Sequence, residues 1–225
     1  MTEEKRKFIR CSILPSSFVL VILFIKTVEL LFGISFITNG LYPRTVHGLL
    51  GIITSPLIHS NIDHMYSNVI PLLILGVSIE FFYQESSKKV FLFSYLFTGF
   101  FVWIFARGSY HVGASGIVYA LVSFLFFSGI FKKDKRSITL SLLVIFLYGG
   151  LAYGIFPTKE GISWESHLIG GIIGMTIAYI LRKKDIYKKY DWEEETTKED
   201  VRNLEVSYKK GYQGESKWRN DEDSG

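Results

Sequence analysis

Six apolar runs, separated by clusters of basic residues, constrain this chain more than any other feature. Phe18–Ile37, Leu72–Phe82, Val90–Phe105, Ile117–Phe131, Ile138–Phe156 and Leu168–Leu181 carry almost no charge. A helix needs roughly 20 residues, at about 1.5 Å each, to cross about 30 Å of hydrocarbon. The shorter runs reach that length through flanking Ser, Thr and Gly, the second starting near Pro56. Length and a hydrophobic content of 48% alone would suit a soluble domain. The segregation of charge does not, and the chain is expected to be an all-α integral membrane protein of six spans.

The basic clusters alternate in position. Lys5, Arg6, Lys7 and Arg10 precede the first span, and Lys88 and Lys89 separate the second from the third. Lys132, Lys133, Lys135 and Arg136 lie between the fourth and fifth, and Arg182, Lys183 and Lys184 follow the sixth. The opposite connections hold only Arg44, Arg107 and Lys159. The positive-inside rule then puts both termini in the cytoplasm, which requires an even number of spans. The expected organisation is a short basic cytoplasmic segment over 1–14, a membrane domain over 15–182 and a charged cytoplasmic tail over 183–225, disordered or weakly helical. The outer connection 39–55 is apolar from Leu49 to Ile53 and is expected to lie in the outer leaflet or against the bundle. The first run is too long for a signal-peptide core and no small-residue cleavage site follows it, so it is expected to remain as an anchor.

The net charge of +4 is spread along membrane edges rather than gathered in one patch, which speaks against a nucleic-acid partner. Cys11 is the single cysteine and excludes an internal disulfide; acylation would need a second signal, and a free thiol is expected.

Polar groups inside apolar spans are expensive and usually have a use. Gly113-Ala114-Ser115-Gly116 opens the fourth span with an accessible hydroxyl, and Tyr119 lies one turn on. The sixth span carries His167 with Gly170 and Gly174 on its face, a groove suited to close approach of the small-residue face of the fourth. In the second span His64 and Asn68 share a helix face, and His59 points elsewhere. Ser115 is 17 residues before Lys132 and His167 is 15 before Arg182. Both therefore lie about 23–26 Å above the basic edge, in the same outer layer as His64 and Asn68.

This alignment suggests a serine nucleophile, Ser115, and a base, His167. The Ser115 N–H, Asn68 and His64 would meet an oxyanion, and Tyr119 would hold the imidazole by stacking. Asp63 and Glu165 are near that depth, but neither is placed to orient His167, so a dyad is expected. His111 is a rival base, on a loop expected to lack fixed geometry. Lys26 and Glu29 fit a self-neutralising pair better than an ion path, and Glu80 fits a helix-end anchor. No His-Glu-x-x-His occurs and no aspartate pair lies within the spans; neither metal nor cofactor is expected.

The ordered set His59-x4-His64-x3-Asn68, Gly113-Ala114-Ser115-Gly116 and His167-x2-Gly170-x3-Gly174 resembles the rhomboid family of intramembrane serine proteases, in its six-helix core form. The resemblance covers 15–182. It implies Ser115 as nucleophile, His167 as base, His64 and Asn68 near the oxyanion, and Tyr119 packed on the catalytic histidine. Gly113 would belong to the serine motif, and His59 and Glu80 would be structural. It also implies cleavage of single-span membrane proteins near their outer boundary, with the site opening to the extracytoplasmic side of a prokaryotic cell membrane. One departure is Leu50-Gly51, where many members carry Trp-Arg; the outer connection is expected to be anchored otherwise, through Arg44. Two other readings remain: a rhomboid-like protein that binds single-span clients without cutting them, and a small transporter, for which the required inverted symmetry is not evident.

Overall fold

The computed structural model describes residues 1–157, 161, 163–187 and 202–208. It divides into two units, Met1–Ile186 and Tyr187–Gly225. The second is described only at Tyr187 and in the helical stretch 202–208, so most of the expected tail lies outside the described residues.

The first unit is built from helices, and the reasons for their ends are local. Helix α1, Glu3–Phe32, begins with two acidic residues that suit the positive end of its dipole and stops at Gly33, whose φ of 63° closes the last turn onto Glu29. The basic N-terminal residues therefore ride on the same helix as the first apolar run. Helix α2, Val46–Thr54, is capped by the Thr45 hydroxyl, which accepts from Gly48 N–H at 3.1 Å, and runs into a 3₁₀ turn, Ser55–Leu57. Helix α3, Ile62–Phe82, is capped by Asn61, and α4 spans Ser87–Phe105. Helix α5 covers Ser115–Lys132. Helix α6, Lys135–Tyr148, is capped by Asp134 and continues as a 3₁₀ segment, Gly149–Ile155. Helix α7 is Trp164–Ile180. Among the described residues the only β pairing is a single bridge between Leu41 and His111.

Among the described residues five segments are long and apolar enough to cross a bilayer: Glu3–Phe32, Ile62–Phe82, Ser87–Phe105, Ser115–Lys132 and Lys135–Ile155. Helix α7 has 17 residues and opens with the polar turn Trp164-Glu165-Ser166-His167. At about 1.5 Å per residue it is some 25 Å long, and six membrane helices remain consistent with the bundle. The protein is an all-α membrane bundle of the expected class.

Helix α5 is its centre, with ten buried residues including Leu121, Phe124 and Leu125. Helix α7 packs directly on it. A Cβ placed on Gly170 would lie 2.1 Å from the Gly116 carbonyl oxygen, and one on Gly174 would lie 2.0 Å from that of Ala120. Such distances are backbone contact, possible only because these positions lack side chains. Ser123 adds a hydrogen bond to the Gly171 carbonyl at 2.6 Å. Large apolar side chains on the outer faces, such as Leu142 and Phe146 on α6, are exposed, as lipid contact requires.

The outer connection lies against α4. Gly48 and Gly51 abut the backbone of Tyr42 and Leu41, where a Cβ would come within 1.8 and 2.2 Å. Arg44 donates to the carbonyls of Ile104 and Ala106 at 3.1 and 2.7 Å, and Trp103 Nε1 donates to the Thr45 carbonyl at 2.9 Å. Arg44 is thus the anchor in this chain. Lys26 and Glu29 pair at 2.9 Å within α1. Lys26 also donates to the His59 carbonyl at 2.9 Å, while Glu29 accepts from Phe36 N–H at 2.7 Å. Both charged groups of the pair are thus engaged in contacts within the fold.

The α5–α7 contact yields a contrast. Gly170→Ala should destabilise the protein by about 1–3 kcal/mol, because backbone must move to admit one methyl group. Gly171→Ala, with nothing within 4 Å of the new carbon, should be neutral or stabilising by up to about 1 kcal/mol. Thermal unfolding of the two purified variants in one detergent checks both expectations.

Candidate active site

Ser115 is the first residue of α5, directly after a turn that only glycine accommodates. Gly113 has a φ of 109°, and a Cβ there would lie 2.6 Å from the His64 ring. Its N–H donates to the Ser55 carbonyl at 2.8 Å. The next N–H, of Ala114, donates to His59 Nε2 at 3.3 Å. His59 is 1% exposed and its own carbonyl is held by Lys26. The start of α5 is therefore fixed to the 55–59 segment and, through it, to α1. His59 holds the serine's backbone and lies outside the reacting groups.

The Ser115 hydroxyl faces His167, with Oγ 2.9 Å from Nε2. The other imidazole nitrogen, Nδ1, is 2.8 Å from the Gly154 carbonyl oxygen. A carbonyl only accepts, so Nδ1 carries the proton and Nε2 presents its lone pair to the serine O–H. This is the tautomer a general base needs. The Tyr119 ring stacks on the imidazole at 4.1 Å between centroids and 5° between planes, and its hydroxyl donates to the Leu151 carbonyl at 2.7 Å.

Both carbonyls belong to the 3₁₀ segment after α6, a stretch in which the sequence suggested no chemistry. Gly154 must be glycine, since a Cβ would lie 1.9 Å from the Tyr119 hydroxyl. A backbone acceptor has no side-chain signature. The glycines at 149, 150 and 154 mark a break in the helix but specify no partner.

The second span contributes on the opposite side. The His64 ring edges Gly113 and its Nδ1 lies 3.1 Å from the Ser60 hydroxyl. Asn68 is buried, and its amide Nδ2 donates to the His64 carbonyl at 2.6 Å, leaving its second N–H for another acceptor. One turn of α3 thus carries the histidine–amide pair beside the serine turn.

The His111 ring, the rival base, is engaged by Ser163 and the Arg107 carbonyl, while the Ser115 hydroxyl pairs with His167. The loop that carries it was expected to lack fixed geometry, yet it is tied down by the bridge to Leu41. The His111 ring is 3% exposed, 2.6 Å from the Ser163 hydroxyl and 3.1 Å from the Arg107 carbonyl. Its burial holds its pKa below the ordinary histidine value. Glu165 turns to the same cluster, pairing with Arg107 at 3.5 Å, and does not orient His167. Asp63 lies in the exposed first turn of α3. Among the described residues no three His, Cys, Asp or Glu side chains gather as a metal site would require.

Behind the start of α5 lies a cavity of about 30 Å³, lined by Thr98, His111, Gly113, Gly116 and Ser166 among others. It is large enough for a water molecule and has polar groups of Thr98, His111 and Ser166 among its apolar walls.

A Rhomboid domain model matches residues 46–184 of the chain. An uncharacterized protein of Mycobacterium tuberculosis and one of Mycobacterium bovis are each 32% identical to it over 174 residues, which is 73% of this chain and 72% of theirs. An uncharacterized protein of Mycobacterium leprae is 30% identical over 174 residues, covering 69% of its own length. With the match extending from α2 through α7, the chain belongs to the rhomboid family of intramembrane proteases.

Proposed function

We propose that the protein is an intramembrane serine endopeptidase that hydrolyses a peptide bond in or beside the transmembrane segment of single-span membrane proteins. The observation that carries this reading is the 2.9 Å contact between Ser115 Oγ and His167 Nε2, with the imidazole tautomer set by Gly154.

In the first half of the reaction, Ser115 Oγ attacks the scissile carbonyl while its proton passes to His167 Nε2. The imidazolium so formed keeps its Nδ1–H on the Gly154 carbonyl and lies flat on the electron-rich face of Tyr119, two contacts that favour the charged ring. The oxyanion is met by the Ser115 N–H, which as the first of a helix has no acceptor within it, by the remaining Asn68 N–H and by His64. Collapse of the tetrahedral species breaks the C–N bond, and Nε2 returns its proton to the departing amine. Water, deprotonated by the same nitrogen, then attacks the acyl-serine, releasing the carboxylate and restoring the hydroxyl. The cavity behind Gly116 supports a local supply of that water.

The distribution of lysine and arginine supports cytoplasmic termini and a site that opens on the extracytoplasmic side of the cell membrane. A client-binding role without hydrolysis would use the same helices. It would not need a serine in hydrogen-bond contact with a correctly protonated histidine.

Cleavage of a single-span model substrate by the full chain in detergent tests the proposal. Ser115→Ala and His167→Ala should each lower the rate by about 10⁴-fold or more, with the unfolding temperature retained. Wild-type rates in either variant would overturn it. A fluorophosphonate probe should label the native chain and not Ser115→Ala; failure to label either would favour the binding role. Tyr119→Phe, which keeps the stacked ring, should lose far less activity than Tyr119→Leu, for which displacement of the imidazole should cost about 10²-fold.

A further inference from the structure

A groove of about 480 Å³ opens on the bundle surface between α1, α3 and α4. Its walls are apolar, with Leu14 from α1 and Phe91 from α4, and it extends inward to Tyr95. Its mouth is charged. Arg10 and Lys88 line it from α1 and α4, both exposed, and neither enters an ion pair among the described residues. Glu80 of α3 also lines it, and one carboxylate oxygen of Glu80 is buried with no hydrogen-bond partner. Tyr95 is seven residues beyond Lys88 on the same helix, so the apolar part reaches about 10 Å in from the charged end.

We propose that this groove is a binding site for an anionic glycerophospholipid of the phosphatidylglycerol type. Two cations at headgroup level and an apolar channel beneath them match a phosphodiester above an acyl chain. Basic residues at this membrane edge attract anionic lipid in any case, but the groove adds shape and a specific polar demand. The Glu80 carboxylate is an acceptor lining the same groove as the two cations. It calls for a headgroup that brings hydrogen-bond donors together with its negative phosphate, as the glycerol hydroxyls of phosphatidylglycerol do. Phosphatidylcholine has no donor and no net charge to offer. With Arg10, Lys88 and Glu80 the mouth carries one net positive charge, which one such lipid neutralises. Lys7, the next cation along α1, is engaged over the Phe81 ring at 4.2 Å and frames the same end. Bound there, the lipid bridges the first helix to α3 and α4, beside the contacts α1 already makes through Pro15 on Gly76 and Phe18 on Phe91 and Tyr95. The inference does not depend on proteolytic activity.

Native mass spectrometry of the full chain, released from detergent with added lipids of matched acyl chains, tests it. Phosphatidylglycerol should persist as a single adduct over phosphatidylcholine, and Arg10→Gln and Lys88→Gln should each weaken it about fivefold. Lys135→Gln and Lys183→Gln, exposed cations at the basic edge outside the groove, should leave it unchanged. Phosphatidylmethanol, anionic but without hydroxyl donors, should bind more weakly than phosphatidylglycerol, and Glu80→Leu should remove that difference. Equal retention of phosphatidylcholine, or equal weakening by all four lysine and arginine variants, would overturn the proposal. So would the absence of any preference for phosphatidylglycerol over phosphatidylmethanol in the native chain.

Discussion

Backbone-to-backbone contact between α5 and α7 is the constraint on which the rest of this bundle depends. Lipid offers apolar side chains no reason to leave it, so helices in a bilayer associate by close packing and interhelical hydrogen bonds. Gly170 and Gly174 sit on the carbonyls of Gly116 and Ala120, and Ser123 bonds to Gly171. The same approach sets the distance between the first turn of α5 and the first turn of α7. Ser115 and His167 occupy those turns, so the packing that holds the two helices together also brings the hydroxyl within 2.9 Å of the imidazole.

The surroundings of the pair are fixed mostly by main-chain atoms. Gly154 and Leu151 offer carbonyls to His167 and Tyr119, and Ala114 gives its N–H to His59. Main-chain partners are held by helices and turns and add no titratable group to a site of low dielectric. A carboxylate behind the histidine would carry a desolvation cost in such a place. The one acidic side chain on the first turn of α7, Glu165, is instead directed to Arg107.

At the opposite end the helices are tied by cations. Lys132 donates to the carbonyls of Leu181 and Lys184, and Arg136 donates to that of Asp185, holding the C-cap of α7 and the turn that follows it. Both cations lie over the ring of Tyr83, whose hydroxyl donates to Ser137 at 3.2 Å. The lysines and arginines between α5 and α6 thus do two kinds of work: they mark a membrane edge by their number, and they clamp α7 from below.

The sequence by itself determined the class of the fold and singled out Ser115 and His167 as polar residues of one layer. Apolar runs of membrane length leave the backbone one solution, the helix, and counting residues from the basic edges puts a serine and a histidine at matched depth. The glycine spacing of Gly170 and Gly174 also disclosed which helix faces meet. Only the tertiary structure decided what orients the histidine, which carbonyls Arg44 holds and where His111 goes. Gly154 acts through a carbonyl that every residue possesses, Arg44 through carbonyls of α4 and the turn after it, and His111 through a hydroxyl 52 residues away. Side-chain chemistry and its periodicity are written along the chain. A main-chain acceptor acquires a partner only when the fold brings a donor to it.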